Sequence, residues 1–343
     1  MQLGNFLKGI SFPQPAVATG LDIGNFSVKL VQIKKINFGK EKSLSFAVVP
    51  IKGDGSPERI IEAIKQAYKD LAIDSKKVNI SVSGPNIIMR YIILPSMREV
   101  ELTKSLEFEL EKYIPFKRED AIIDYRILAH LPNNQMIVLL VAVERRFISE
   151  RVKLIKDAGL EPQTINVDAF ALIEAFLGVL PKPKSVTALL DIGYRLSKLV
   201  VLGYDIPYFS RDIEIGEYDI FQMISQKMNL DFNLAKELSY RPAEDKVKEV
   251  AEAVKPTLDS LLSELSLSFE YCERDLGKKV DQLYLSGGGS RIKLLSESLG
   301  NIRDLKIHIW NPTLGFRISS PLNPEGLREY SHLLAVAVGL ALC

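Results

Sequence analysis

Asp22 and Asp191 are the carboxylates in this sequence best set up for chemistry, because each stands in the same short phrase. Leu21-Asp22-Ile23-Gly24 returns as Leu190-Asp191-Ile192-Gly193, and Lys29-Leu30-Val31 returns at the same 169-residue shift as Lys198-Leu199-Val200. An Asp that ends a strand and a Gly that opens a turn put a carboxylate beside exposed backbone N–H groups. Gly permits the close approach and the dihedrals that such a turn needs. A single copy reads most simply as a hairpin turn. Two copies, heading two halves of similar length, could face each other and hold a phosphate chain and its metal ion from both sides. The repeat predicts an α/β, duplicated, two-lobed nucleotide-binding fold.

The chain has 343 residues, 47% hydrophobic and 25% charged, an ordinary globular composition with room for two domains. Lys plus Arg (44) nearly balance Asp plus Glu (43), and no basic stripe with interleaved aromatics speaks for nucleic acid. Cys272 and Cys343 make no metal or disulfide framework, and His130, His308 and His332 are scattered. Residues 1–15 carry one Lys and no long apolar core, so no secretory leader is expected. The longest apolar runs, Ile137 to Val143 and Leu333 to Cys343, fall short of the ~20 residues that cross a bilayer. A soluble protein of a reducing compartment is expected. Leu3, Phe6, Leu7 and Ile10 are spaced i, i+3, i+4 and i+7, a short apolar helical face. Docking on the body of the protein or on a partner is expected for it rather than on lipid, since it lacks the basic residues of a membrane-surface helix.

The two phrases need strands and turns to position them. Asp22 to Ile33 and Leu44 to Val49 read as strands, with a turn near Phe38-Gly39-Lys40, and Pro57 opens a helix through Ile60, Ile61, Ile64 and Tyr68. Val78 to Ser83 and Ile87 to Leu94 read as further strands, completing an α/β lobe. Ser96-Met97-Arg98-Glu99 has the form of a capping box opening an acidic helix, with Leu102, Leu106, Leu110 and Tyr113 as its seam and Pro115 at its end. Ala121 to His130 and Met136 to Val143 read as paired strands, and Arg145 to Asp157 as a helix stopped at Gly159. Residues 95–158 therefore read as an αββα insertion. Leu180 to Ser185, with two prolines, reads as a linker. Lys246 to Leu276 is a long helical pattern that Pro256 should kink or divide, and Val280 to Ser286 is a buried strand running into Gly287-Gly288-Gly289. The expected organisation is an N-terminal segment 1–15, a first lobe of 16–94 and 159–180 completed by a closing helix in 325–343, the insertion 95–158, and a second lobe 185–324.

Three glycines at a strand-to-helix junction would let a base or a phosphate lie against the backbone at a helix N-terminus. Phosphate loop, phosphate loop and adenosine loop, in that order, resemble the actin-like ATPase superfamily. Within it the chain resembles the PilM family, actin-like proteins of type IV pilus assembly. The residues that carry the resemblance are Leu94-Pro95-Ser96-Met97, the run Glu109 to Phe116, Asp124-Tyr125, Asp157-Ala158-Gly159-Leu160, Leu285 to Arg291 and the ending Ala335 to Leu342. It covers roughly residues 17–342.

The resemblance implies two RNase H-like lobes, with 95–158 in the place of the 1C-type subdomain of the FtsA-like branch. It implies ATP and Mg2+ in the cleft, and the N-terminal cytoplasmic tail of a PilN-like membrane protein as partner. By position, Asp22, Gly24, Asn25, Phe26, Ser27 and Lys29 form the first phosphate loop, and Asp191, Gly193 and Ser197 the second. Gly216 stands in the strand-to-helix turn that follows, and Gly287, Gly288 and Gly289 flank adenosine. Asp22 and Asp191 would hold magnesium through its waters. Asp168 is the candidate to orient an attacking water. Tyr113, Ile114 and Phe116 are the candidate partner contacts, with core packing as their alternative. The tail would extend an exposed strand edge, either Ile87 to Leu94 or Ala121 to Leu128.

The chain departs from the family pattern in the loops. Asn25 and Phe26 replace small hydroxyl residues, and Tyr194, Arg195 and Leu196 fill the second loop. Gly216-Glu217 stands for a glycine pair, and Lys236 and Ser239 stand where a Glu and a Lys three apart are usual. Weakened nucleotide handling is expected. The function expected is a scaffold, without enzymatic activity or with very slow ATP turnover, held at the inner face of the cytoplasmic membrane through its partners. Self-association stays open. The alternatives are an active ATPase or sugar-kinase-like phosphotransferase, and an FtsA-like division protein, whose basic C-terminal tail has no counterpart in Leu340 to Cys343.

Overall fold

The computed structural model describes residues 16–343 except 38–39, 74, 110–111, 204–205, 301, 303–304, 320–326 and 328. The N-terminal face of Leu3, Phe6, Leu7 and Ile10, the turn at 38–39 and Leu110 of the acidic helix lie outside the described residues.

Alternating apolar stretches broken by Gly, Asn and Pro make three successive strands, β1 (Val17–Ile23), β2 (Ser27–Ile36) and β3 (Glu41–Pro50). Helix α1 (Pro57–Leu71) follows, with Pro at its first position and Ile64, Ala67 and Leu71 on the buried face. Strand β4 (Lys77–Val82) lies parallel beside β1 and β8 (Glu161–Val167) parallel beside β4, and the sheet is completed at its other edge by β14 (Arg317–Ile318). After α4 (Asp168–Val179) the second half repeats the plan. Strands β9 (Val186–Ile192), β10 (Ser197–Gly203) and β11 (Ile206–Ile213) pair antiparallel, and β12 (Gln282–Ser286) and β13 (Lys306–Ile309) add in parallel. The orders β3-β2-β1-β4-β8 and β11-β10-β9-β12-β13 are the same sheet built twice, so the duplicated phrase marks a duplicated topology.

Between the sheets pack α4 and the apolar closing helix α9 (Ala335–Leu342), in one cluster with Phe46, Leu189 and Trp310. Burial of this kind stabilises by about 25 cal/mol per Å2 of apolar surface. The second lobe carries α5 (Glu217–Met228), α6 (Phe232–Tyr240), α7 (Val247–Leu276) and α8 (Lys293–Leu299) around its own core. Pro256 does not divide α7, which runs unbroken for 30 residues. Val254 and Leu258 on either side of the proline are both buried, so tertiary packing outweighs its missing N–H.

A third sheet, β5-β7-β6, is formed by β5 (Ile87–Pro95), β6 (Ala121–Leu131) and β7 (Gln135–Glu144), with α2 (Glu99–Glu109) and α3 (Arg145–Asp157) beside them. Both strands named as candidate edges, β5 and β6, are edges of this sheet, and β7 lies between them. Ser96 is not the cap of α2. Its hydroxyl donates to the Gln135 carbonyl 3.1 Å away, while Glu101 accepts from the Arg98 N–H at 3.0 Å. Among the described residues no helix is long and apolar enough to cross a membrane.

Candidate functional site: the cleft between the repeated hairpins

Each repeated phrase folds into the same hairpin. Gly24 N–H donates to the Ser27 carbonyl at 3.1 Å, and Gly193 N–H to the Leu196 carbonyl at 3.0 Å. In the first hairpin Asp22 lies directly across from Lys29; in the second Asp191 lies directly across from Lys198. The repeat is thus a repeat of an acid–base pair in register. Lys29 Nζ is 3.1 Å from Asp22 Oδ2, whereas Lys198 Nζ is 3.7 Å from Asp191 Oδ2 and only 3.2 Å from Asp168 Oδ2. Asp191 is held from its other side by Ser286 Oγ, which donates to Oδ1 at 2.8 Å.

These groups are buried and opposed in charge. Burial pushes the Asp22 carboxyl up, with Lys29 pulling the other way. Burial works the same way on Asp168, but Lys198, Ser81 and Ser83 together hold its carboxyl below the ordinary value. Burial alone would lower Lys198, yet the ring of Asp168, Asp191, Asp22 and Asp212 raises it. Lys198 was visible in the sequence as the shifted partner of Lys29. Its reach to Asp168 was not.

The two hairpins open onto a cavity of about 500 Å3 lined by Asp22, Gly24, Asn25, Phe26, Ser27, Lys29, Asp168, Asp191, Gly193, Gly287 and Gly288, with Lys198, Glu217, Lys236, Tyr240, Arg291 and His332 on the same wall. Three of the expected residues do not line it. Ser197 is fully buried and donates to the Ile215 carbonyl at 2.6 Å, Gly216 packs on the Tyr194 backbone, and Gly289 packs on Ile192. At the mouth, the Phe26 ring of the first loop lies 5.0 Å from the Tyr194 ring of the second, and Lys236 Nζ sits 4.4 Å over Phe26. The bulk that replaced hydroxyls in the first loop bridges the lobes.

The three glycines serve the protein's own packing. Gly287 has φ +80°, a left-handed conformation, and a Cβ there would run into the Ile192 backbone. A Cβ on Gly288 would meet the Glu217 carboxylate, and one on Gly289 the Ile192 side chain. Glu217, packed against Gly288, is buried, pushed up by that burial, and hydrogen-bonded by Tyr240 Oη. Gly287 N–H donates to the His332 carbonyl at 2.8 Å. His332 is buried in the same wall, and burial with Arg291 nearby lowers it to about 4.

A second recess of about 290 Å3 lies on the far side of the Asp168–Lys198 pair, where Gly84 N–H donates to Asp212 Oδ2 at 2.7 Å between the lobes. In the small sheet, Ile114 is buried, and Tyr113 and Phe116 are half-buried against Leu102, Leu106 and Met136. Ile114 and Phe116 also line a shallow surface recess with Lys117 and Arg118.

Comparison with known proteins agrees with this geometry. The family model for the type IV pilus assembly protein PilM matches residues 20–343. A solved structure described as a PilM-PilN type IV pilus biogenesis complex is similar at TM-score 0.80 and 27% identity, covering 96% of this chain and 98% of that one. The ethanolamine utilization protein EutJ from Carboxydothermus hydrogenoformans (TM-score 0.53, 14% identity, 98% and 93% covered) shares the fold. So does MreB 5 of Spiroplasma citri bound to AMPPNP (TM-score 0.50, 12% identity, 95% of each chain covered). With the twice-built sheet, the paired hairpins and the small β5-β7-β6 sheet, the chain has an actin-like ATPase fold and belongs to the PilM family of type IV pilus assembly proteins.

Proposed function

We propose that this protein is a scaffold of type IV pilus assembly that grips the N-terminal cytoplasmic tail of a PilN-like membrane protein and uses ATP for conformational control rather than for fast chemistry. The observation that carries the second half is the 3.2 Å Asp168–Lys198 ion pair. A carboxylate neutralised by a buried lysine and held below its ordinary value is a poor base for activating water. The tail-binding half rests on family membership and on the relative whose structure is described as a complex with PilN.

The cleft suits a metal-bound polyphosphate. Lys29 and Lys198 face it from the two lobes, and Asp22 and Asp191 stand beside them. Among the described residues no three His, Cys, Asp or Glu side chains converge to grip a metal directly. Asp22 and Asp191 would hold magnesium through its waters, its usual manner of binding. Bound nucleotide favours the state in which the lobes are closed on it. The tail lies along β5 or β6 and inserts alternate side chains near Tyr113, Ile114 and Phe116. Because β5 belongs to the small sheet, we take the subdomain of this reading to begin at Ile87 rather than at residue 95.

The experiment is a titration of a synthetic peptide from the N-terminal tail of a PilN-like partner against the parent and Phe116→Ala, with folding checked by circular dichroism. Tight binding by the parent and weaker binding by the folded variant are expected. If the parent binds no tail from its own pilus partners, the scaffold reading fails. If a folded Phe116→Ala binds equally well, Phe116 leaves the groove.

A further inference from the structure

Helix α3 carries three arginines, and one of them has a different setting from the other two. Arg145 donates from Nε to the Glu119 carbonyl at 3.1 Å and from Nη2 to the Ala121 carbonyl at 2.9 Å. Arg146 pairs with Glu150 at 2.8 Å on the surface. Arg151 forms no hydrogen bond or ion pair with any described residue. Its guanidinium lies 5.9 Å from the centroid of the Phe147 ring, one turn back on the same helix face, and both side chains line the cleft between the hairpins. The helix is fixed in that orientation. Ile148 and Ile155 are buried in one core cluster with Leu21 and Ile80 of the first sheet, so the Phe147–Arg151 face cannot turn from the cleft without opening that core.

The charges around Arg151 leave it in surplus. Burial works against its charged form, with Asp168 and then Asp22 pulling the other way. Both acids already have a lysine of their own, Lys198 at 3.2 Å from Asp168 and Lys29 at 3.1 Å from Asp22. A half-buried guanidinium without an ion-pair partner is costly, and it cannot shed its proton to relieve the cost. An anion brought into the cleft would relieve it.

Position selects the part of the ligand. Arg151 answers to Asp168 and Asp22, whereas Arg291 answers to Tyr240 and His332. Gly287 and Gly288 stand with the second group, through the His332 carbonyl and the Glu217 carboxylate. With adenosine at those glycines, a phosphate chain runs past the two hairpins towards Arg151.

We propose that Arg151 grips the terminal phosphate of the bound nucleotide from the side of α3, a role that rests on the reading of this cleft as an ATP site. A planar guanidinium offers two parallel N–H groups to two phosphate oxygens, a geometry that Lys29 and Lys198 cannot supply. The ligand is then held by a third element besides the two repeated hairpins.

The test is isothermal titration of the full-length parent, Arg151→Gln and Arg151→Lys with ATP and with ADP, each in magnesium. Arg151→Gln lowers ATP affinity about ten- to a hundredfold, the worth of hydrogen bonds to a charged group, and ADP affinity less than about threefold. Arg151→Lys keeps the charge without the planar fork and recovers only part of the loss. The thermal midpoint of ligand-free Arg151→Gln stays at or above the parent's, because the substitution removes a cation that has no ion-pair partner. Lys156→Gln, in the recess on another face of the same helix, controls for long-range charge and leaves both affinities at the parent's values. Parental ATP affinity in Arg151→Gln, equal losses for ATP and ADP, a lowered ligand-free midpoint, or an equal loss from Lys156→Gln overturns the proposal while the ATP site stands. A parent that binds neither nucleotide overturns the reading of the cleft itself, and this proposal with it.

Discussion

Lys198 Nζ lies 3.2 Å from Asp168 Oδ2, so a lysine on the hairpin of the second lobe is ion-paired to the first residue of a helix in the first. It also answers Asp191 on its own hairpin, and two more carboxylates, Asp22 and Asp212, contribute to its raised pKa. Lys198 is therefore a cation shared by carboxylates of both lobes, while Lys29 pairs with Asp22.

Replacing that cation tests the arrangement. Lys198→Met leaves Asp168 and Asp191 buried without their counter-charge, and breaking a buried pair in this way costs about 3–5 kcal/mol. Urea unfolding of parent and variant measures it. A loss under about 1 kcal/mol would mean that water serves the carboxylates and the pair contributes little.

The metal prediction concerns the repeated acids. Asp22→Ala and Asp191→Ala should each abolish the magnesium-dependent part of ATP binding in isothermal titration, since each removes a carboxylate that orders the metal's waters. Turnover by the pure protein is expected well below an ordinary enzyme's ~10 per second. Undiminished binding by both variants would misplace the site, and brisk hydrolysis would refute the scaffold reading.

Phe26 and Tyr194, with ring centroids 5.0 Å apart, join the two loops at the mouth of the cleft. A double-mutant cycle of Phe26→Ala and Tyr194→Ala should give a coupling of about 0.5–1.5 kcal/mol. The same variants should change nucleotide association rates, read by stopped-flow fluorescence. Zero coupling would show that the rings touch without holding the lobes.

His332 and Glu174 are shifted in opposite directions. Burial, aided by Arg291, lowers His332 from 6.5 to about 4. Between those values the unfolded chain binds a proton that the native one refuses, so this stability is full above pH 6.5 and is lost as pH falls to 4. Burial raises Glu174 from 4.5 to about 7, with Arg126 partly opposing. There the native state keeps a proton that the unfolded chain releases, so this stability is full below pH 4.5 and is lost as pH rises to 7. Each limb amounts to about 3 kcal/mol. His332→Gln should therefore make the protein gain stability on acidification from neutral pH to about 5, and Glu174→Gln should make it lose stability over the same range. Thermal midpoints at the two pH values decide it; parallel behaviour of the two variants would refute the opposition.

The periodicities in the chain were enough to identify most strands and helices, because apolar alternation and turn residues are local signals. The repeated Leu-Asp-Ile-Gly carried still more. With Lys29 and Lys198 at the same shift, it determined two equivalent hairpins, and through them the duplicated fold. What sequence left open depended on contacts between segments far apart in the chain. Whether Pro256 divides a helix was decided by the burial of Val254 and Leu258, and Ser96 was drawn from its capping role by Gln135. The glycines at 287–289 looked shaped for a ligand, and the structure adds a second reason for them: Ile192 and Glu217, brought in from other elements, leave no room for a Cβ there. Asp168 looked free to act on water until the second lobe placed Lys198 against it. Local pattern fixes the backbone path, but the charge state of a buried carboxylate depends on what the rest of the molecule packs beside it.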